Sequence, residues 1–376
     1  MMRETPGAQP AQPTQEAAAE VGGEHSKVNL LGLDRTALSL FLQKQGAKRY
    51  RAEQLFRRLH KGGDNPFIDL PPDLRAHLQQ TTTTEEPHQK AVLPAQDGTR
   101  KLLFDIGGEV IDAVLIPQGG RLTLCVSSQV GCALACRFCL TGKQGFSRNL
   151  TSAQIIAQLR AANRLAYPAR VSNVVMMGMG EPLLNLPALL PALRVMTDDL
   201  AFALPPRRVT VSTAGIVPAM AHLKAGAKCA LAVSLHAPGD SLRDELMPIN
   251  RRYPLAMLMA ACREHIGENK REFVTMEYVM LKGINDGDAC ARDLTRLLRG
   301  LRCKVNLIPF NIFPDTEYTP SPMAAIMAFR DILVRAGFVA TIRKTRGDDI
   351  LAACGQLAGQ VRDISKTINI QNDARR

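Results

Sequence analysis

Three cysteines stand within eight residues of one another, at Cys132, Cys136 and Cys139, in the string Ser127-Ser128-Gln129-Val130-Gly131-Cys132-Ala133-Leu134-Ala135-Cys136-Arg137-Phe138-Cys139. The spacing is C-x3-C-x2-C, short enough to gather three thiolates around one small volume. A [4Fe–4S] cluster usually takes four cysteine thiolates, one per iron. Three would leave one iron open to a further molecule, which suits chemistry at the cluster and not passive electron carriage. A zinc site is the alternative, and it needs a fourth Cys or His to complete its tetrahedron; the loop offers no obvious candidate. The nine cysteines of the chain are an odd number. With three of them clustered, they point to metal binding in a reducing cytoplasm and not to a disulfide framework.

Other residues carry weaker signals. In Gly178-Met179-Gly180-Glu181 glycine lets backbone approach a ligand closely, and a carboxylate accepts hydrogen bonds from an ammonium group. Taken alone, such a string is most often a turn. Cys354 has small neighbours in Ala352-Ala353-Cys354-Gly355 and follows the basic run Arg343-Lys344-Thr345-Arg346. Nearby positive charge favours thiolate, although an inert buried cysteine fits the local sequence equally well. An isolated histidine such as His236 is ordinarily structural. Cys229, Cys262, Cys290 and Cys303 show no ligand spacing and read as core cysteines.

These groups need elements to hold them. The chain has 376 residues, 46% hydrophobic, 5% aromatic and 22% charged, which describes a globular protein and excludes a collagen-like or wholly disordered one. Its formal net charge of +12 favours a polyanionic partner, through counterion release; a basic protein without one remains the alternative. No stretch approaches the ~20 apolar residues of a membrane span, and the Ala/Pro/Gln-rich start to about Ser26 lacks the pattern of a secretory signal.

From Asn29 to Thr84 the leucine pairs Leu38/Leu42, Leu55/Leu59 and Leu74/Leu78 predict helices, broken at Gly62-Gly63 and Pro71-Pro72. Six basic residues between Lys48 and Lys61 face one acid, Glu53; they form a solvated face or a grip on phosphates. Short strands are expected at Lys101–Ile106, Val110–Ile116 and Leu122–Val126, separated by Gly-Gly turns. Then strand and helix patterns alternate, with strands at Asn173–Met179, Arg208–Ser212, Ala230–Leu235, Phe273–Leu281, Lys304–Phe310 and Val339–Arg343. Thr151 with Gln154 is a candidate capping box. Such alternation builds an α/β fold on a parallel sheet, open or curled into a full or partial barrel.

With the cysteine loop, the string SSQVGCALACRFCLTGKQGF resembles the radical S-adenosylmethionine superfamily, and within it the RlmN-type dual-specificity RNA methyltransferases. Further matching strings, GMGEPL, VST, SLHAP, IPFN and RKTRGDDILAACGQLAG, extend the resemblance from about Leu30 to Val361. It implies a partial (βα)6 barrel over 122–345, preceded by a disordered leader (1–27), a helical RNA-binding region (28–88) and a β extension (89–121). A C-terminal segment (346–376) then carries Cys354.

The resemblance also implies the chemistry. Cys132, Cys136 and Cys139 would hold one [4Fe–4S] cluster, whose open iron binds S-adenosylmethionine, two molecules being used per turnover. Gly180, Glu181, Ser212, Ser234, Leu235, His236 and Asn311 would bind that cofactor. Cys354 would carry a methyl group, and Cys125 would resolve a protein–RNA crosslink through a transient Cys125–Cys354 disulfide. The family's proton acceptor is a glutamate; the aligned residue here is Asp112, one methylene shorter. Implied partners are 23S rRNA, tRNA modified at the adenosine 3′ of the anticodon, and a flavodoxin-like electron donor, acting on a monomer away from membranes. Related enzymes of the Cfr type methylate C8 of the same rRNA adenine in place of C2. A one-cofactor radical enzyme with Cys354 incidental, and a zinc-dependent RNA-binding module, complete the alternatives.

Overall fold

The computed structural model describes residues 27–62, 65–269 and 271–359. The expected leader lies outside them apart from Lys27, as does the C-terminal segment beyond residue 359.

The N-terminal region runs β1 (Val28–Asn29), α1 (Arg35–Lys44), α2 (Arg49–Lys61), α3 (Pro72–Thr81) and β2 (Thr82–Thr83), with β1 and β2 paired in parallel. Asp34 caps α1 by accepting from Ala37 N at 2.8 Å, which satisfies one of the helix's orphan donors. Each leucine pair places at least one side chain inside: Leu38, Leu42, Leu55, Leu59 and Leu78 are buried. They share one apolar core with the rest of the chain, reaching Ile155 and Leu159.

The next strands are β3 (Gln89–Pro94), β4 (Arg100–Ile106), β5 (Glu109–Gln118) and β6 (Arg121–Cys125), an antiparallel meander. After β6 come β7 (Gln129–Gly131), α4 (Leu140–Gln144), β8 (Phe146–Asn149) and α5 (Ser152–Ala166), with β7 and β8 paired antiparallel around the cysteine loop. Alternation then sets in: β9 (Asn173–Met176), α6 (Leu186–Thr197), β10 (Val209–Thr213), α7 (Val217–Gly226), β11 (Ala230–Ser234), α8 (Asp240–Leu246) and α9 (Leu255–Ile266). It ends with β12 (Val274–Met280), α10 (Asp288–Leu297), β13 (Cys303–Pro309), α11 (Met323–Arg335) and β14 (Val339–Ile342).

All ten strands β3–β6 and β9–β14 join one sheet in the order β14-β13-β12-β11-β10-β9-β6-β5-β4-β3. Pairing is parallel from β6 through β14, so six strand–helix units form an open barrel and β14 adds a seventh parallel strand at its free edge. The antiparallel meander extends the other side. The architecture is a partial α/β barrel.

Strand positions agree with the sequence pattern to within a residue or two, except that β9 ends at Met176 and not Met179. The chain leaves the sheet there because Gly178 and Gly180 pack against the cysteine loop. The Thr151–Gln154 capping box forms in both directions, at 3.2 and 3.0 Å. Among the described residues no helix is long and apolar enough to cross a membrane.

Candidate active site

Cys132, Cys136 and Cys139 lie in the loop between β7 and α4, all half-buried and none in a disulfide. The loop is held from both sides. Ser128 N and Gln129 N donate to Met179 O at 2.9 and 3.2 Å, and Met179 N donates to Ser127 Oγ at 2.8 Å. The buried Gln158 of α5 accepts from Ser127 N and donates to Ser127 O. On the far side Leu134 and Phe138 pack on a small apolar cluster that includes Met247, Phe310 and Phe313. This contact explains why the loop between β7 and α4 carries apolar residues among its cysteines.

Gly180 adopts φ +97°, and a Cβ there would meet the Gln129 side chain at 2.5 Å. A side chain at Gly178 would meet Ser127 at 2.7 Å. Both glycines are therefore required for the loop after β9 to lie flush on the cysteine loop. Glu181 follows, its Oε2 accepting from Ala214 N at 2.8 Å and its Oε1 from Leu183 N at 3.1 Å. Burial pushes its carboxyl up to about 7, against the pull of these hydrogen bonds.

The three cysteines, Gly180, Glu181, Ser212, Ser234, His236, Asn311 and Cys354 all line one cavity of about 150 Å³. His236 has φ +60°, an uncommon backbone state for a residue with a side chain and one that clusters at functional sites. Its Nδ1 accepts from Val279 N at 2.9 Å. Burial, then the charge of Arg243, lowers its pKa to about 3, so the ring is neutral and carries its proton on Nε2. Leu235 is different: its side chain is fully buried in the core and its backbone N donates to Glu277 O at 3.0 Å. It does not line the cavity.

The C-terminal segment seals one wall. Leu140 N donates to Gly355 O at 2.8 Å, Thr141 Oγ1 donates to Leu357 O, and Asn311 Nδ2 donates to Cys354 O at 3.0 Å. Cys354 is thereby fixed beside the cysteine loop and close to Cys125 at the end of β6. Burial pushes the Cys125 thiol up to about 12, and Cys354 adds to that. Burial also raises the Cys354 thiol, while Arg343 opposes the shift.

Asp112, on β5, is fully buried and lines neither this cavity nor the one behind it. Its Oδ2 pairs with Lys101 Nζ at 2.9 Å, and Lys101 also donates to Leu351 O at 3.2 Å. Oδ1 has no hydrogen-bond partner among the described residues. Gly359 lies over the strand, its N 3.4 Å from Asp112 Oδ2.

Two groups escaped the sequence reading, Glu277 and Arg243, and a third, Arg343, was read only as part of a basic run. Glu277 on β12 is buried, lines the cavity, and accepts from Asn306 Nδ2 at 2.7 Å. Arg343 stands at the end of β14 between Glu277 and the two thiols. Arg243, 1% exposed, donates to the carbonyls of Leu235, Ala214 and Ser234 and to Asn250 Oδ1. It ties the ends of β10 and β11 together beneath the cavity. The only advance sign of Glu277 was a charged residue among the apolar neighbours of a strand, and Arg243, beside Asp244 and Glu245, gave none.

The donor set fits an iron–sulfur cluster. Burial raises the thiols of Cys132 and Cys136, an energetic cost that a bound metal centre offsets by taking thiolates. Three thiolates leave a zinc tetrahedron one ligand short, and the loop from Cys132 to Cys139 holds no fourth Cys or His, whereas a cluster takes one thiolate per iron.

An open parallel barrel with three cysteines in the loop after its first strand, facing a Gly-Glu loop after the second, defines a radical S-adenosylmethionine protein. Residues 126–292 match the Radical SAM superfamily, and residues 28–83 match the ribosomal RNA large subunit methyltransferase N-terminal domain. A radical SAM methyltransferase from Sphaerobacter thermophilus is 42% identical with TM-score 0.82, covering 89% of this chain and 100% of its own. Weaker likeness reaches a domain of pyruvate-formate lyase-activating enzyme from Bacteroides vulgatus (16% identity, TM-score 0.36, 46% of this chain and 99% of that one). Streptococcus suis SuiB bound to S-adenosylmethionine gives 13% identity and TM-score 0.44, over 62% of this chain and 57% of that one. The chain belongs to the RlmN-type methyltransferases of the radical S-adenosylmethionine superfamily. Its cofactors are those of the superfamily, a [4Fe–4S] cluster and S-adenosylmethionine, and an enzyme of this type acts on RNA.

Proposed function

We propose that the enzyme forms 2-methyladenosine in 23S rRNA, at the peptidyl-transferase centre, and in tRNA at the adenosine 3′ of the anticodon. The observation that carries this reading is Cys354, held by Asn311 between the three-cysteine cavity and Cys125. The adenine C2 carbon is electrophilic and has no lone pair with which to attack a sulfonium methyl, so a methyl group must be parked and converted before transfer.

When bound, the cluster and S-adenosylmethionine supply the methyl group and a primary carbon radical that takes up a hydrogen atom. Cys354 accepts the methyl through its sulfur, keeping the group against the cavity that generates the radical. After loss of one hydrogen atom, the methylene carbon on Cys354 adds to C2, joining protein and RNA. One electron leaves the ring, which an oxidised cluster held by Cys132, Cys136 and Cys139 would accept, and the C2 proton is lost; together these restore the ring. Asp112, to which the resemblance gives that proton, is paired with Lys101 and lies outside both cavities, so this arrangement does not bring it to the ring. The Cys125 thiolate then attacks the Cys354 sulfur; the sulfur–carbon bond breaks, a disulfide forms and the carbon gains a proton. External electrons from a flavodoxin-like donor, and reduction of the disulfide, reset the enzyme.

The exposed Lys48, Arg49 and Arg57 of the α2 region supply the phosphate grip that positions RNA while the cavity chooses the base. Arg58 and Arg51 do less for RNA, because Asp69 already occupies both, at 2.8 Å each. The test is incubation of anaerobically reconstituted enzyme with reductant, S-adenosylmethionine and a 23S rRNA fragment, followed by nucleoside digestion. 2-Methyladenosine is expected; 8-methyladenosine, or no methylated adenosine, overturns the proposal.

A further inference from the structure

A cleft of about 570 Å³ lies between the N-terminal helices and α5, and it shares no lining residue with the cavities at Cys354. Its walls carry five cations and no carboxylate: Arg58 and Lys61 from α2, Arg160 and Arg164 from α5, and Arg170 just ahead of β9. Part of that charge is compensated from behind. Asp69 pairs with Arg58 at 2.8 Å, and Glu86 pairs with both Arg160 and Arg164, at 2.6 and 2.7 Å. Lys61 donates to a backbone carbonyl, that of Asp199, and the exposed side chain of Arg170 has no partner among the described residues. Two carboxylates against five cations leave three positive charges for something else.

The floor of the cleft carries a second, independent sign of a ligand. His60 is 9% exposed, set edge-on to Phe56 with ring centroids 4.8 Å apart and facing Phe202 at 5.7 Å. Neither of its ring nitrogens has a hydrogen-bond partner among the described residues, a state that buried polar groups rarely tolerate. Burial, then the charge of Arg160, lowers its pKa to about 3, so the neutral ring offers one donor and one acceptor to whatever enters. At the rim stands Tyr167, 84% exposed, with Arg164 and Arg170 three residues to either side. An open aromatic face flanked by cations holds an unpaired nucleotide, the ring stacking on the base and the cations tracking the backbone.

The cleft is far from the chemistry. The turn into α5 lies beside the cysteine loop, where Leu150 N donates to Ser128 O at 3.2 Å. The 15 residues of α5 then carry the chain about 22 Å to Tyr167, at the end of the barrel opposite the cluster loop. We infer that the cleft between α2 and α5 is a second, remote RNA-binding site, in which Tyr167 stacks an unpaired base and Arg170, Arg164 and Lys61 hold the phosphates beside it. The inference rests on RNA being the substrate and not on which adenine carbon receives the methyl. An RNA too short to span the length of α5 gains nothing from the site.

The test uses reconstituted holoenzyme carrying Tyr167→Ala or Arg170→Glu, both at exposed side chains without partners among the described residues. Two RNAs are compared, a long 23S rRNA fragment and a minimal hairpin bearing the target adenosine. Loss of one base stack weakens binding about five-fold or more. On the long fragment both variants should therefore raise KM at least three-fold with kcat within two-fold of wild type, and on the hairpin both should match wild type within two-fold. Arg170→Lys should restore the KM on the long fragment, since a phosphate contact asks for charge. A rise below three-fold on the long fragment in either variant overturns the inference, and so does an equal loss on both RNAs.

Should the variants not load iron, the wild-type enzyme decides. Modification of Arg170 by phenylglyoxal, read as the mass of its peptide, should be at least five-fold slower with the long fragment bound than with the hairpin. Equal rates overturn the inference; so does equal protection by millimolar adenosine monophosphate, which would make the cleft a site for a free nucleotide. If wild type methylates neither RNA, it is the proposed function that fails, and the same Arg170 protection still decides the site.

Discussion

Lys101→Met isolates one buried charge. The Lys101 side chain is 10% exposed and Asp112 is fully buried, with 2.9 Å between Nζ and Oδ2. At that distance and an effective dielectric near 20, the attraction is roughly 6 kcal/mol, most of it offset by the cost of removing both ions from water. Methionine keeps the volume of the lysine stem but strands the carboxylate, whose Oδ1 already lacks a partner among the described residues. Breaking a buried pair from one side costs about 3–5 kcal/mol. Replacing both members by apolar residues of similar size is near neutral, so Lys101→Met/Asp112→Leu should recover most of the loss. The assay is urea unfolding at pH 8 followed by circular dichroism, with the free energies of wild type, single and double variants compared at a common slope. A single variant within 1 kcal/mol of wild type, or a double variant less stable than the single, would refute the reasoning.

Cys125→Ala should still form the methylene bridge and accumulate a covalent enzyme–RNA adduct on denaturing gels; free methylated RNA at wild-type rates contradicts its role. Glu181→Gln probes a carboxyl raised by burial from its ordinary value of 4.5 to about 7. A raised carboxyl means the folded state binds the proton more tightly, so stability is lost as pH rises from about 4.5 through 7. In cofactor-free protein the glutamine variant should therefore match wild type at pH 4.5 and exceed it by up to about 3 kcal/mol at pH 8, with weakened S-adenosylmethionine binding read by calorimetry. Arg243→Met removes a buried cation with four acceptors and leaves buried carbonyls without a donor, at about 3 kcal/mol or more. Urea unfolding of the iron-loaded protein reads that loss, and a change under 1 kcal/mol would show that Arg243 does not bind β10 to β11.

Local chemistry made much of this legible in advance. Short cysteine spacing and the strand–helix alternation each depend on neighbours in the chain, and both appear in the structure where the sequence pattern puts them. Thr151 and Gln154 cap α5 for the same reason. What stayed hidden arises between distant segments. Arg243 is buried because three strand-end carbonyls from β10, β11 and their loops converge on it, which no window of sequence displays. Leu235 sits in a matching string, yet the strand alternation turns its side chain into the core. The Lys101–Asp112 pair could have been found: β4 and β5 form a tight hairpin in which Lys101 opposes Val114, placing the lysine diagonally beside Asp112 on one face.

The most direct test of the central claim, that the ring methyl passes through Cys354, is the deuterium content of the product made with S-adenosylmethionine carrying a trideuterated methyl. Transfer through a methylene on sulfur removes one hydrogen and later restores one from solvent, so the methylated adenosine should hold two of the three deuteriums. A product that retains all three would mean the methyl moved intact, and the account would fail.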